Sequence, residues 1–189
     1  MNCSKITGNL QMASCRNAVA GIKGEAIIIN FDDWKAATIT EVSGVISAIT
    51  LAGATKASKF TSHEKAFESS SNLQKGTYNS SFAHQIIMRA FDRTQTLKDD
   101  INKMANGRYV AIIINRDQND EPTTVELLGA ENGLVATAIE HNSADNDGVA
   151  YAITLGSEEG AYESEIPKSV YTNSLAATLT MIEALCAAS

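Results

Sequence analysis

The chain has 189 residues, 44% of them hydrophobic, 20% charged and 6% aromatic; that is enough apolar content for one sizeable core, at a length that fits one domain. Fifteen Lys and Arg against 22 Asp and Glu leave a net charge of −7, the wrong sign for a protein that neutralises duplex phosphates. Two prolines and 12 glycines exclude collagen-like and Pro-rich low-complexity character.

Cys3, Cys15 and Cys186 are too few for a disulfide-dense scaffold and lack C-x-x-C spacing, so no structural zinc is expected. The opening MNCSKITGNLQMASCRNAVAG has no apolar run of the signal-peptide kind. No window reaches the roughly 20 apolar residues of a membrane span. The expectation is a soluble chain made in a reducing cytoplasm, without a membrane partner.

Residues 1–23 are polar and poorly periodic and read as an arm. EAIIINF (25–31) is a β-branched run that predicts a buried strand. SGVISAITL (43–51) and TKASKF (55–60) flank Ala52-Gly53-Ala54 and predict a hairpin. From Tyr78 to Arg89 the chain alternates. Tyr78, Phe82, Ile86 and Met88 share one parity, interrupted by Ser80 and His84; Asn79, Ser81, Gln85 and Arg89 share the other. Twelve residues at ~3.3 Å each make a strand of about 40 Å.

The period then changes. Leu97, Ile101, Met104 and Ala105 predict a helix over 94–106, with Thr96 and Asp99 as a capping box and Gly107 as a left-handed stop. RYVAIIINR (108–116) predicts a core strand, and residues 124–131, 133–140 and 148–156 predict three more. Leu175, Leu179, Ile182 and Leu185 predict a last helix from Asn173 to about Ala187. The expected fold is α+β, mainly β: a sandwich or barrel of seven to eight mostly antiparallel strands. Its parts are the arm, a β domain over 24–170 with one flanking helix, and a C-terminal helical segment over 171–189.

No pattern nominates a catalytic group, a cofactor site or a metal site. His63, His84 and His141 lack metal-ligand neighbours, and GxSxG, HExxH, P-loop and Rossmann patterns are absent. Asp145, Asp147 and Gly148 resemble part of a calcium loop, but Thr154 stands where a bidentate Glu is required. Between Asp117 and Glu165 there are 12 acidic residues and no Lys or Arg. Either that run is a solvated face, or acidic and basic faces meet between subunits.

Six stretches in this order carry a resemblance: IIINFDD (27–33), GVISAITLAG (44–53), GTYNSSFAHQIIMRAF (76–91), TQTLKDDINKMANG (94–107), RYVAIIINRD (108–117) and LLGAENGLVATAIEHNSADNDGVAYAITL (127–155). Together they resemble the tail-tube family of bacteriophages and related contractile injection machines. The opening CSKITGNL…SCRNAVAGIKG is similar to structural proteins of Bacteroidota phages and prophages. The long C-terminal helix departs from the family pattern.

The resemblance implies a virion subunit without catalysis, in a homo-oligomeric ring that is a hexamer or, less simply, a dodecamer. It would contact other tail or connector proteins, and DNA would pass through without specific binding. The implied tube-building strand carries Tyr78, Phe82, Gln85, Ile86, Met88 and Arg89. Alternatives are a head–tail connector ring, a head-surface or cargo protein, or a soluble ligand-binding β-sandwich.

Overall fold

A computed structural model describes residues 21–187 except 64, 78, 118–119 and 142–147. Cys3, Cys15, Tyr78, Asp145 and Asp147 therefore lie outside the described residues. In chain order the elements are β1 (Ile22–Asn30), α1 (Phe31–Ala36), β2 (Thr38–Val42), β3 (Val45–Thr50), β4 (Ser58–Thr61), β5 (Phe67–Lys75) and β6 (Ser80–Ala90). They continue with α2 (Gln95–Met104), β7 (Arg108–Asn115), β8 (Val125–Leu128), β9 (Leu134–His141), β10 (Tyr151–Ser157), β11 (Lys168–Val170) and α3 (Leu175–Cys186).

The fold is α+β and mainly β, as expected, but one sheet holds 11 strands rather than seven or eight. Two strands form its spine. β1 lies antiparallel along β7, with Ile28 opposite Ala111 and Asn30 opposite Tyr109. Ala26, Ile28, Ala111 and Ile113 point into one apolar cluster, and Ile27, Ile29, Ile112 and Ile114 into another. This burial on both faces explains why AIII (26–29) and VAIII (110–114) are unbroken apolar runs instead of alternating ones.

The other edge of β7 is shared. Residues 111–114 pair with β8 and residues 108–109 with β9. The chain between those two strands, residues 129–133, is thus a corner at which the sheet divides into two wings. One wing runs β8-β11-β3-β2, the other β9-β10-β6-β5. The second wing curls until β5 nears β1, and it encloses Phe67, Ile86, Met88, Leu134, Ile153 and Leu155 with Ile101 and Met104 of α2. The first wing packs with α1 and α3 around Trp34, Ile46, Leu127, Val170 and Ile182.

Several local expectations are corrected. β3 pairs with β2 through a Ser43-Gly44 turn, while β4 crosses to β1, so the 43–60 hairpin does not form. The reason lies in TITEV (38–42), which forms a strand and offers β3 a nearer partner. β5, β11 and the short α1 also lie outside the expected elements: FESSSNLQK is too polar to announce a strand, and it is one because β6 templates it. Thr94 caps α2, its Oγ1 accepting from Leu97 N–H at 3.4 Å, two residues ahead of the expected Thr96. Gly107 is not left-handed. It is needed because a Cβ there would meet the Tyr109 hydroxyl at 1.9 Å. β1 begins at Ile22, inside the segment read as the arm.

Candidate functional site

The alternation of β6 is as expected. Ile86 and Met88 are buried, 0% and 3% exposed, and His84 on the same parity is buried with them at 3%. Gln85 sits on the opposite face, between Ser70 of β5 and Gly156 of β10. Arg89 Nη1 donates to Glu68 Oε1 at 2.7 Å. Phe82 lies opposite Leu73, which is 52% exposed. The inner face of the hairpin is therefore core-filled near Phe67 and Met88 and open near Leu73.

Among the described residues β5 pairs only with β6 and β2 only with β3, so the path through the sheet ends at these two strands, with β4 a side edge on β1. β2 is exposed along its whole length, including Ile39 and Val42. Between Glu68 and Lys75, β5 carries only Ser, Asn, Leu and Gln. Edges are ordinarily blunted by charge, proline or very short length. This nine-residue strand has none of these over its middle. On the outer face of the same wing Ser70, Asn72, Gln74, Ser81, Ala83, Gln85, Ala152 and Thr154 are uncharged, and they share it with Ile87 and the Glu68–Arg89 ion pair.

A second constellation surrounds the corner. Gly129 and Gly133 both take positive φ, 76° and 73°. A Cβ on Gly133 would stand 2.6 Å from Arg108 Cγ. Trp34 Nε1–H donates to Ala130 O at 2.9 Å and Lys35 Nζ to Glu131 O at 3.0 Å. Residues 158–167, which lead from β10 to β11, lie against this corner as a strap. Glu163, 2% exposed, accepts the N–H groups of Glu131 and Asn132 at 2.8 and 2.9 Å. Glu131 returns the favour, accepting from Ser164 N–H at 3.0 Å and from its hydroxyl. The Ser164 hydrogen bonds hold the Glu131 carboxyl below the usual carboxylate range. Asn132 Nδ2 donates to Tyr162 O at 2.7 Å.

The strap also touches β6 directly. Phe82 N–H donates to Glu163 O and Glu163 N–H to Phe82 O, at 2.8 and 3.0 Å. His84 completes the contact. Gly129 N–H can only donate, so His84 Nδ1 accepts it at 3.3 Å; Nε2 then carries the hydrogen and donates to Glu165 O at 3.0 Å. Burial pushes the His84 imidazole below its ordinary value, against the opposing fields of Glu163 and Glu131.

None of the strap contacts was legible beforehand: SEEGAYESEIPKS reads as irregular, and the one hint is His84 on an apolar parity. The clamp also uses part of the acidic run within the chain. Glu158 pairs with Arg108 and Glu165 with Lys168, while Glu163 and Glu131 hold the corner.

At the end of the curled wing lies a cavity of about 510 Å³. Phe60, Phe67, Met88, Phe91, Leu97 and Ile153 line it, with His63 and Asp92 among the polar groups. Among the described residues no three His, Cys, Asp or Glu side chains are grouped to hold a metal ion. No described helix is long and apolar enough to cross a membrane.

No protein-family model, curated protein or solved structure matches the chain.

Proposed function

We propose that this chain is a self-assembling structural subunit of a phage-like virion, of the ring-forming tail-tube or tail-barrel kind. The observation that carries the proposal is that β2 and β5, at opposite ends of the strand path, have no second strand beside them among the described residues. An edge strand presents unpaired N–H and C=O groups that another strand can complete. When two different edges meet head to tail, the contact is heterologous and closes into a ring if the rotation permits. The exposed Leu73 beside half-buried Phe82 supplies apolar surface for the same neighbour. The outer face of the β5–β6 wing is mostly uncharged, and its Arg89 is paired with Glu68; such a face suits a channel wall, since few unpaired cations there would hold passing phosphates.

Light-scattering mass and negative-stain images of the purified chain test this. Rings or tubes are expected. Leu73→Asp should leave the subunit folded, because the side chain is exposed, yet abolish assembly. Gln85→Lys, on the uncovered face, should keep both fold and ring. A wild-type chain that stays monomeric at high concentration would sink the proposal.

One observation favours a second reading. The apolar cavity beside Phe91 is of the size that small-molecule sites have, and a monomer that takes up a small apolar ligand there would be a ligand-binding β-sandwich.

A further inference from the structure

We propose that residues 158–167 form a strap that mild acid releases through protonation of His84. It holds whether or not the chain assembles, since every group involved lies within one subunit. The bonding pattern at His84 requires the neutral ring: one nitrogen must accept from Gly129 N–H while the other donates to Glu165 O. A proton added to Nδ1 faces the Gly129 N–H donor to donor, and that bond is lost. Each bond joins β6 to a different element, one to the corner and one to the strap, so the ring is the peg between them.

Among the described residues the one buried side-chain oxygen without a hydrogen-bond partner is the Ser71 hydroxyl, on β5 opposite His84, a weaker acceptor for the charged ring than a carboxylate. From the strap, the Glu163 carboxylate and the Glu165 carbonyl face it; from the corner, the Glu131 carboxylate does. β10 contributes the Ser157 hydroxyl, which accepts the His84 backbone N–H at 3.0 Å, and β5 sets Ser71 opposite. Both nearby carboxylates are already engaged, Glu163 with two backbone N–H groups and Glu131 with Ser164. If the imidazolium draws Glu163 toward itself, the caps on Glu131 and Asn132 are lost instead. Either response loosens the strap.

The sign follows from linkage. His84 is held below its ordinary value near 6.5, so its contribution is full above about pH 6.5 and fades as pH falls through the folded value. Glu131 is also lowered, and its contribution fades only below about pH 4.5. The interval between about pH 7.5 and 5.0 therefore reads His84. Release would bare the edge of β6 near Phe82, past the end of β10 pairing at Gln85, and untie the two wings at the corner.

Amide hydrogen exchange at those two pH values, corrected for the intrinsic pH dependence, tests the proposal. Protection at Phe82, Glu131, Asn132, Glu163 and Ser164 should fall about tenfold or more on acidification, as expected for a local opening. Ile28 and Ile112 in the spine should hold theirs. An unchanged strap, or an equal loss in strap and spine, would overturn it. His84→Gln, whose amide can accept from Gly129 and donate to Glu165 at any pH, should remove the pH dependence; its persistence would also overturn it. Should that variant not fold, the imidazole titration of the wild-type chain must share its midpoint with strap protection, and a mismatch is equally fatal.

Discussion

Glu163 is an acidic side chain used as a buried cap. Its carboxylate, 2% exposed, sits where Glu131 and Asn132 turn their N–H groups toward it. Glu163→Ala should therefore strip two part-buried backbone donors of their acceptor and cost about 1–3 kcal/mol, read as a lower urea midpoint with the slope unchanged. Glu163→Gln keeps one oxygen acceptor and should lose less. Equal and negligible losses in both variants would mean that the corner finds other acceptors. The same residue shows what a single sequence conceals. Its chain neighbours, SEEGAY and SEIPKS, carry no period, and its partners lie about 30 positions away; long-range burial leaves no trace in a local pattern.

Among the elements, legibility tracked burial. β1, β6, β7 and α2 were read closely because a strand buried on two faces must be apolar throughout, and one buried on a single face must alternate. β2, β5 and β11 take their conformation from neighbours they pair with, and so TITEV, FESSSNLQK and KSV gave little notice. At the start of α2 two threonines compete for the cap, and the geometry favours Thr94. Thr94→Ala should cost about 1 kcal/mol, lowering the melting temperature by roughly 2–4 °C. Thr96→Ala, inside the helix and exposed, should leave it within a degree or so of the parent. The reverse order would restore the capping box at Thr96 and Asp99.

For the molecule as a whole, many charges are answered from within. Lys59 is bound by Glu25 and Glu183, Lys168 by Glu41, and Arg89 by Glu68. Assembly through β2 and β5 would then rest on backbone hydrogen bonds and apolar contact, which salt screens little. Oligomer mass should be unchanged when salt is raised to about 1 M, where the Debye length is only about 3 Å. Dissociation over that range would favour instead the meeting of acidic and basic faces between subunits.

The spine joins residues far apart in the chain, Ile28 with Ala111 and Ile22 with Asn115. A ribosome adds roughly 5–20 residues per second, so β1 waits on the order of ten seconds for its partner to emerge. During that interval β5 and β6 are already complete and adjacent in sequence, and local hairpins close within microseconds. The nascent chain thus displays its longest open edge before the centre of the sheet exists to anchor it. On a crowded polysome, neighbouring copies carry the same edge at the same moment. Premature pairing between unfinished chains is the hazard that accompanies this topology, and strong expression, which crowds more nascent copies together, is where inclusion bodies should first accumulate.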